Sequence, residues 1–196
     1  MWRKKRGTPS SEIGAFEANR RAASSAEFVG KKRGRLSGTA ASRLSRPPAP
    51  VSFVRMNVPN LRSPHDAVRG LKYFGRMLDK IRLHQAGTLP ADYHANLGGG
   101  FDERCVHFLW IEYPALAERV RQGGTDEEIL DWCVAQGRQP SEEDLEIWNE
   151  FMRKRGWNDE ASERLVQRKN ESGIPGRDDI QTLFDYIDFD EGRGPR

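Results

Sequence analysis

Between residues 68 and 81 the side chains of Val68, Leu71, Phe74, Leu78 and Ile81 recur at intervals of three and four, the rhythm of one face of an α-helix. Ser63 stands where an N-cap belongs, Pro64 at the first helical position, Asp66 in the first turn and Gly87 just past the end. The spacing predicts a helix from Ser63 to His84 whose apolar stripe must be covered by other elements. Similar start and stop signals recur downstream. Thr125 with Glu128 forms a capping box ahead of Ile129, Leu130, Trp132 and Cys133, with Gly137 as the stop. Ser141 opens a helix with Glu142, Glu143 and Asp144 at its start and Arg153, Lys154 and Arg155 at its finish, as the macrodipole favours, and with Leu145, Trp148, Phe151 and Met152 as its core face. Tyr113 and Pro114 start a short helix through Val120, another runs from near Asn158 to Gly173, and the last begins near Asp178 and buries Ile180, Leu183, Phe184 and Ile187. No alternating apolar run is long enough to propose a sheet. The expected architecture is all-α, a compact orthogonal bundle of about six or seven short helices over residues 56–196.

Charge separates this body from what precedes it. Residues 1–55 hold thirteen Lys and Arg against three acids, residues 56–196 nineteen against twenty-six. The first stretch is Ala, Ser and Gly between basic clusters, closed by Arg46, Pro47, Pro48, Ala49 and Pro50. It carries too little apolar surface to offset its ordering entropy and is expected to be a disordered basic leader or linker. Nucleic acid could associate only through this tail, by displacing counterions from phosphates, but the aromatic residues among the charges, Trp2, Phe16 and Phe28, are too sparse for a stacking platform. A solvated leader, such as an upstream extension of a protein starting at Met56, fits better; a transit peptide is a lesser option. No apolar run is long enough for a membrane span, and two cysteines without an export signal point to the cytoplasm.

The run Leu61, Arg62, Ser63, Pro64, then Arg76, Met77, Leu78, Asp79, Lys80 and Arg82, and then Ala86, Gly87, Tyr93, Asp102, Arg104, Phe108 and Leu109, resembles the bacterial family catalogued as domain of unknown function 5069. The likeness extends from about residue 60 to the C-terminus, through Asp126, Glu127, Glu128, Trp132 and the stretch from Trp148 to Trp157. It brings no activity, cofactor or site residue with it. Members often carry Pro-Leu-Asp where this chain has Gly100, Phe101 and Asp102, and an aromatic residue where it has Cys105, which argues against Cys105 as a shared nucleophile.

On the first helix Arg69, Lys72, Arg76 and Lys80 follow one another at steps of three, four and four, so they read as one cationic face opposite the apolar stripe, wet or docked on a carboxylate-rich helix of the same chain. Arg82 continues the row of Phe74 and Leu78 and is therefore expected to be largely buried, bonded to a carboxylate such as Asp79 or Asp102 or to several backbone carbonyls. The glycines at 98, 99 and 100 read as a plain turn, with Asp102 occupying the amides an anion would want. Cys105 sits in a first helical turn, where a thiol pKa can fall, yet fits the apolar set of Phe101, Phe108 and Leu109 better. His84, His94, Cys105 and His107 contain ligand atoms without the tight pairing of zinc sites, so no metal and no cofactor are expected. No Ser-His-Asp, phosphate-loop or nucleotide fingerprint is present. What remains is a candidate ligand site of Arg76, Asp79, Lys80, Arg82, His84, Asp102 and Arg104, serving a binding module for a small anionic ligand or a protein. An enzyme of unknown reaction using the same cluster is the alternative. A concave pocket joining those side chains would favour an enzyme or small-ligand binder, and a convex cationic face with no cavity a non-catalytic module that binds a protein or small anionic partner.

Overall fold

The computed structural model of the chain describes residues 57–194. The expected disordered leader therefore lies outside the described residues. Within them the chain is mainly helical, as expected: seven α-helices, one 3-10 helix and a two-stranded ribbon. In chain order these are β1 (Ala67–Val68), β2 (Leu71–Lys72), α1 (Phe74–Gln85), the 3-10 helix (Ala91–Asn96), α2 (Phe101–Leu109), α3 (Tyr113–Arg121), α4 (Asp126–Gln136), α5 (Glu142–Lys154), α6 (Ser162–Glu171) and α7 (Leu183–Asp190).

The first expected helix starts eleven residues late, and a hairpin takes its opening turns. Ala67 pairs with Lys72 and Val68 with Leu71 across a turn at Arg69 and Gly70, whose φ angles of 46° and 86° suit a two-residue hairpin. Ser63 heads no helix; its hydroxyl accepts the His65 amide at 3.2 Å and donates to Asp188 Oδ2 at 2.7 Å. Tyr73 ends the ribbon in the left-handed region, φ 72°, and redirects the backbone into α1. Val68 and Leu71 are buried as the stripe requires, but from the ribbon.

Helix α1 is buried from Phe74 through Ile81, eight consecutive residues, so it has no wet face over two turns. It packs on α3 and the ribbon, which in turn meets α5. Phe74, Met77, Leu78, Leu109, Leu116, Ile129, Met152 and Phe184 are the large side chains at the centre of this core. A smaller cluster of Leu165, Ile180, Tyr186 and Phe189 joins α6 to α7.

Local signals place the later helices well. The capping boxes at Thr125/Glu128 and Ser141/Asp144 are both formed, and Thr182/Asp185 makes a third that sets the start of α7 at Leu183 rather than near Asp178. Helix α6 begins at Ser162 because the Asp159 carboxylate first accepts the amides of Gly156 and Ala161 in a turn. Phe151, expected in the core, is instead 38% exposed, with the guanidiniums of Arg104 and Arg155 over its ring. Gly137 permits a close crossing: a Cβ there would lie 1.9 Å from the Leu109 carbonyl oxygen, to which Arg138 N donates. Among the described residues no helix is long and apolar enough to cross a membrane.

Candidate functional site

A cleft of about 830 Å³ opens between α1, the 3-10 helix, the start of α2, α6 and α7. Arg76 and Lys80 form part of its wall, with Tyr73, Tyr93, Arg168 and Asp190 among the other lining residues. Of the four cations read from the sequence as one face, wet or docked on a carboxylate-rich helix, Arg76 and Lys80 are each 3% exposed. They are buried because helices approach α1 from the side that its apolar spacing leaves polar, and each arriving element supplies a carboxylate.

Lys80 meets α2. Its Nζ donates to Asp102 Oδ1 at 2.6 Å and to the Tyr73 hydroxyl at 3.1 Å, and that hydroxyl donates to the same Oδ1 at 2.8 Å. Gly98 N donates to Asp102 Oδ2, so the glycine turn serves the carboxylate, although Asp102 lies inside α2, whose N-cap is Gly100, and not at its cap. Burial lowers the Lys80 pKa against the pull of Asp102, and raises that of Tyr73 with Asp102 adding to the effect. Tyr73 holds its left-handed backbone because its ring is buried and its hydroxyl is fixed by these two groups.

Arg76 meets the end of α7. Both its terminal nitrogens donate to Glu191, one of them at 2.9 Å, and Nη1 also donates to the Arg62 carbonyl at 2.7 Å. Tyr93 from the 3-10 helix donates to Glu191 Oε1 at 2.8 Å. Arg193 joins the same carboxylate, donates from Nε to Asp188 Oδ1 at 2.7 Å and from Nη1 to the Leu61 carbonyl at 3.0 Å. The polar wall is thus bonded back into the fold, so its ionic pairs hold elements together as well as facing the cleft.

The other candidate residues lie elsewhere. Asp79 accepts two bonds of 2.7 Å from Arg62, whose Nη1 reaches Asp126 at 2.5 Å; Arg82 Nη1 donates to that same Asp126 at 2.6 Å. Arg82 is paired with carboxylates as expected, with Asp79 of its own helix at 3.8 Å and, closer, with Asp126 of α4 rather than Asp102 of α2, but a side chain 36% exposed is not largely buried. His84 is exposed, its ring 5.0 Å from that of His94, and Arg104 is exposed over Phe151. None of Asp79, Arg82, His84 and Arg104 lines the cleft, and Asp102 stands behind its wall. Cys105 is fully buried, which pushes its thiol pKa up and not down, and burial drives Cys133 to about 12.

Sequence reasoning missed the α6 and α7 contributions, Arg168, Asp190 and Glu191. One signal for the last two was available. Asp190 and Glu191 end a helix on the pole where the macrodipole disfavours negative charge, so their position asks for another reason. Asp190 is half-buried, and burial raises its carboxyl pKa; Arg168 and Arg76 oppose this while Asp92 adds to it.

The family model described as Domain of unknown function (DUF5069) matches residues 58–193, and the chain belongs to that family. No curated protein matches it.

Proposed function

We propose that this member of the DUF5069 family binds a small ligand bearing an acidic group in the cleft beside α1. The observation that carries the reading is a concavity of about 830 Å³ with Arg76 and Lys80 in its wall and Arg164 and Arg168 along α6. That volume falls in the range of small-molecule pockets, and a convex cationic face for a protein partner is not what these residues form. Arg76 and Lys80 are saturated by internal carboxylates, so they set the local geometry, and the direct contact falls to the guanidiniums of α6. The test is isothermal titration of small carboxylates, amino acids among them, and phosphate esters against the full chain and Arg168→Ala. Binding about tenfold weaker in the variant, as expected for one lost charge-assisted hydrogen bond, supports the reading. Equal affinity in both proteins, or no binding by any compound, refutes it.

A second reading, catalysis, draws on Lys80. A buried amine held below its ordinary pKa beside a tyrosine hydroxyl is a proton-transfer pair at a cleft wall. Turnover of a bound ligand that survives in Lys80→Met would dispose of it.

A further inference from the structure

Sorting the ionic side chains of the cleft by what they already hold leaves a remainder of both signs. Arg76 is taken up by Glu191 and the Arg62 carbonyl, Lys80 by Asp102 and Tyr73, and Glu171 accepts the Gln167 amide. Arg168, half-buried on α6, has no side-chain hydrogen bond or ion pair among the described residues. Asp190 on α7 has none either, nor has Asp92 on the 3-10 helix. Arg168 acts electrostatically on Asp190, yet the two do not close into a salt bridge, and both face the same concavity.

Asp190 is unfavourably placed in three ways. It is half-buried, it sits at the negative pole of α7, and Asp92 contributes a like charge. A residue that costs stability in the empty protein, at the wall of a pocket, fits a functional role better than a structural one. The cleft also offers apolar surface, with Phe101, Leu183 and Ile187 in its lining.

Resting on the reading of the cleft as a pocket for an acidic group, we propose that its ligand is an amino-acid-like zwitterion with an apolar body. The carboxylate lies on Arg168, the ammonium on Asp190 with Asp92 beside it, and the hydrocarbon or ring against Phe101, Leu183 and Ile187. The chemistry is complementary at each point. A guanidinium fork matches a carboxylate, and an ammonium between two carboxylates relieves their repulsion and favours the ionised form of Asp190. A ligand with only negative charge is repelled by the two aspartates, and one with only positive charge by the arginines of α6.

The experiment is calorimetric titration of the full chain with L-phenylalanine, 3-phenylpropionate and phenethylamine, which share a ring and chain and differ in their charged groups. Phenylalanine is expected to bind at least about tenfold tighter than either analogue, one charge-assisted contact being worth that much. In Asp190→Asn the advantage over 3-phenylpropionate disappears, while the Tm of the empty protein rises by about 2 °C because the disfavoured carboxylate is gone. If 3-phenylpropionate binds as tightly as phenylalanine in an Arg168-dependent way, the zwitterion inference falls and the anionic reading stands. If none of the three binds, or Asp190→Asn lowers Tm and leaves selectivity intact, the inference is overturned.

Discussion

The pairing of Lys80 with Asp102 is the point where a single side chain has most at stake. The lysine is 3% exposed and the aspartate fully buried, so either charge left alone would face the desolvation cost without its partner. Asp102→Asn is expected to lower the unfolding free energy in urea by about 3–5 kcal/mol, and Lys80→Met on that background to restore part of it. Asp126 shows the opposite balance. Burial alone would raise its pKa, but the guanidiniums of Arg62 and Arg82 outweigh burial and hold the carboxyl below its ordinary 3.8. A carboxyl depressed in the folded state contributes stability that is complete above its ordinary value and is lost as pH falls through the folded one. Urea unfolding at a series of pH values below about 4 should therefore show a steeper loss of stability for the wild type than for Asp126→Asn. The residue-level pattern in the sequence pointed inward at Arg82 and, short of docking on another helix, outward at Arg76 and Lys80; the structure buries the latter two and leaves Arg82 half-exposed. The two-sided pattern presumes a helix with one covered face, whereas α1 is enclosed all round, and the partners that draw its cations in, Asp102 and Glu191, lie 22 and 115 residues away.

At the level of elements, what is written locally was readable and what depends on distant contacts was not. Thr125/Glu128 and Ser141/Asp144 mark their helices because a capping box needs only four consecutive residues. The ribbon before α1 escaped notice because strands of two residues are too short to alternate, and because Val68 and Leu71 keep the spacing of the helix that follows. The third box has a consequence for the cleft. Thr182→Ala is expected to cost about 1 kcal/mol in urea unfolding and, by fraying α7 at the end carrying Leu183, to raise amide exchange along that helix more than in α4. Gly137 offers a steric test of how the end of α2 meets the end of α4. Its added methyl in Gly137→Ala would meet the backbone of Leu109, and a loss of about 1–3 kcal/mol by the same measurement is expected from the forced shift.

Across the whole folded region, the final residues fasten its beginning. Asp188 accepts the Ser63 hydroxyl, Arg193 reaches the Leu61 carbonyl, and Glu191 neutralises Arg76. Removing residues 188–196 should therefore abolish the cooperative thermal transition seen by circular dichroism, since a buried guanidinium without its carboxylate alone costs about 3–5 kcal/mol. A chain that retains a sharp transition after that truncation would show the clasp to be dispensable. During translation Glu191 emerges from the ribosome more than a hundred residues behind the arginine it neutralises. Until that carboxylate arrives the nascent polypeptide leaves its central helix open to water, which makes a product terminated short of it recognisable to proteases by an unsealed interior.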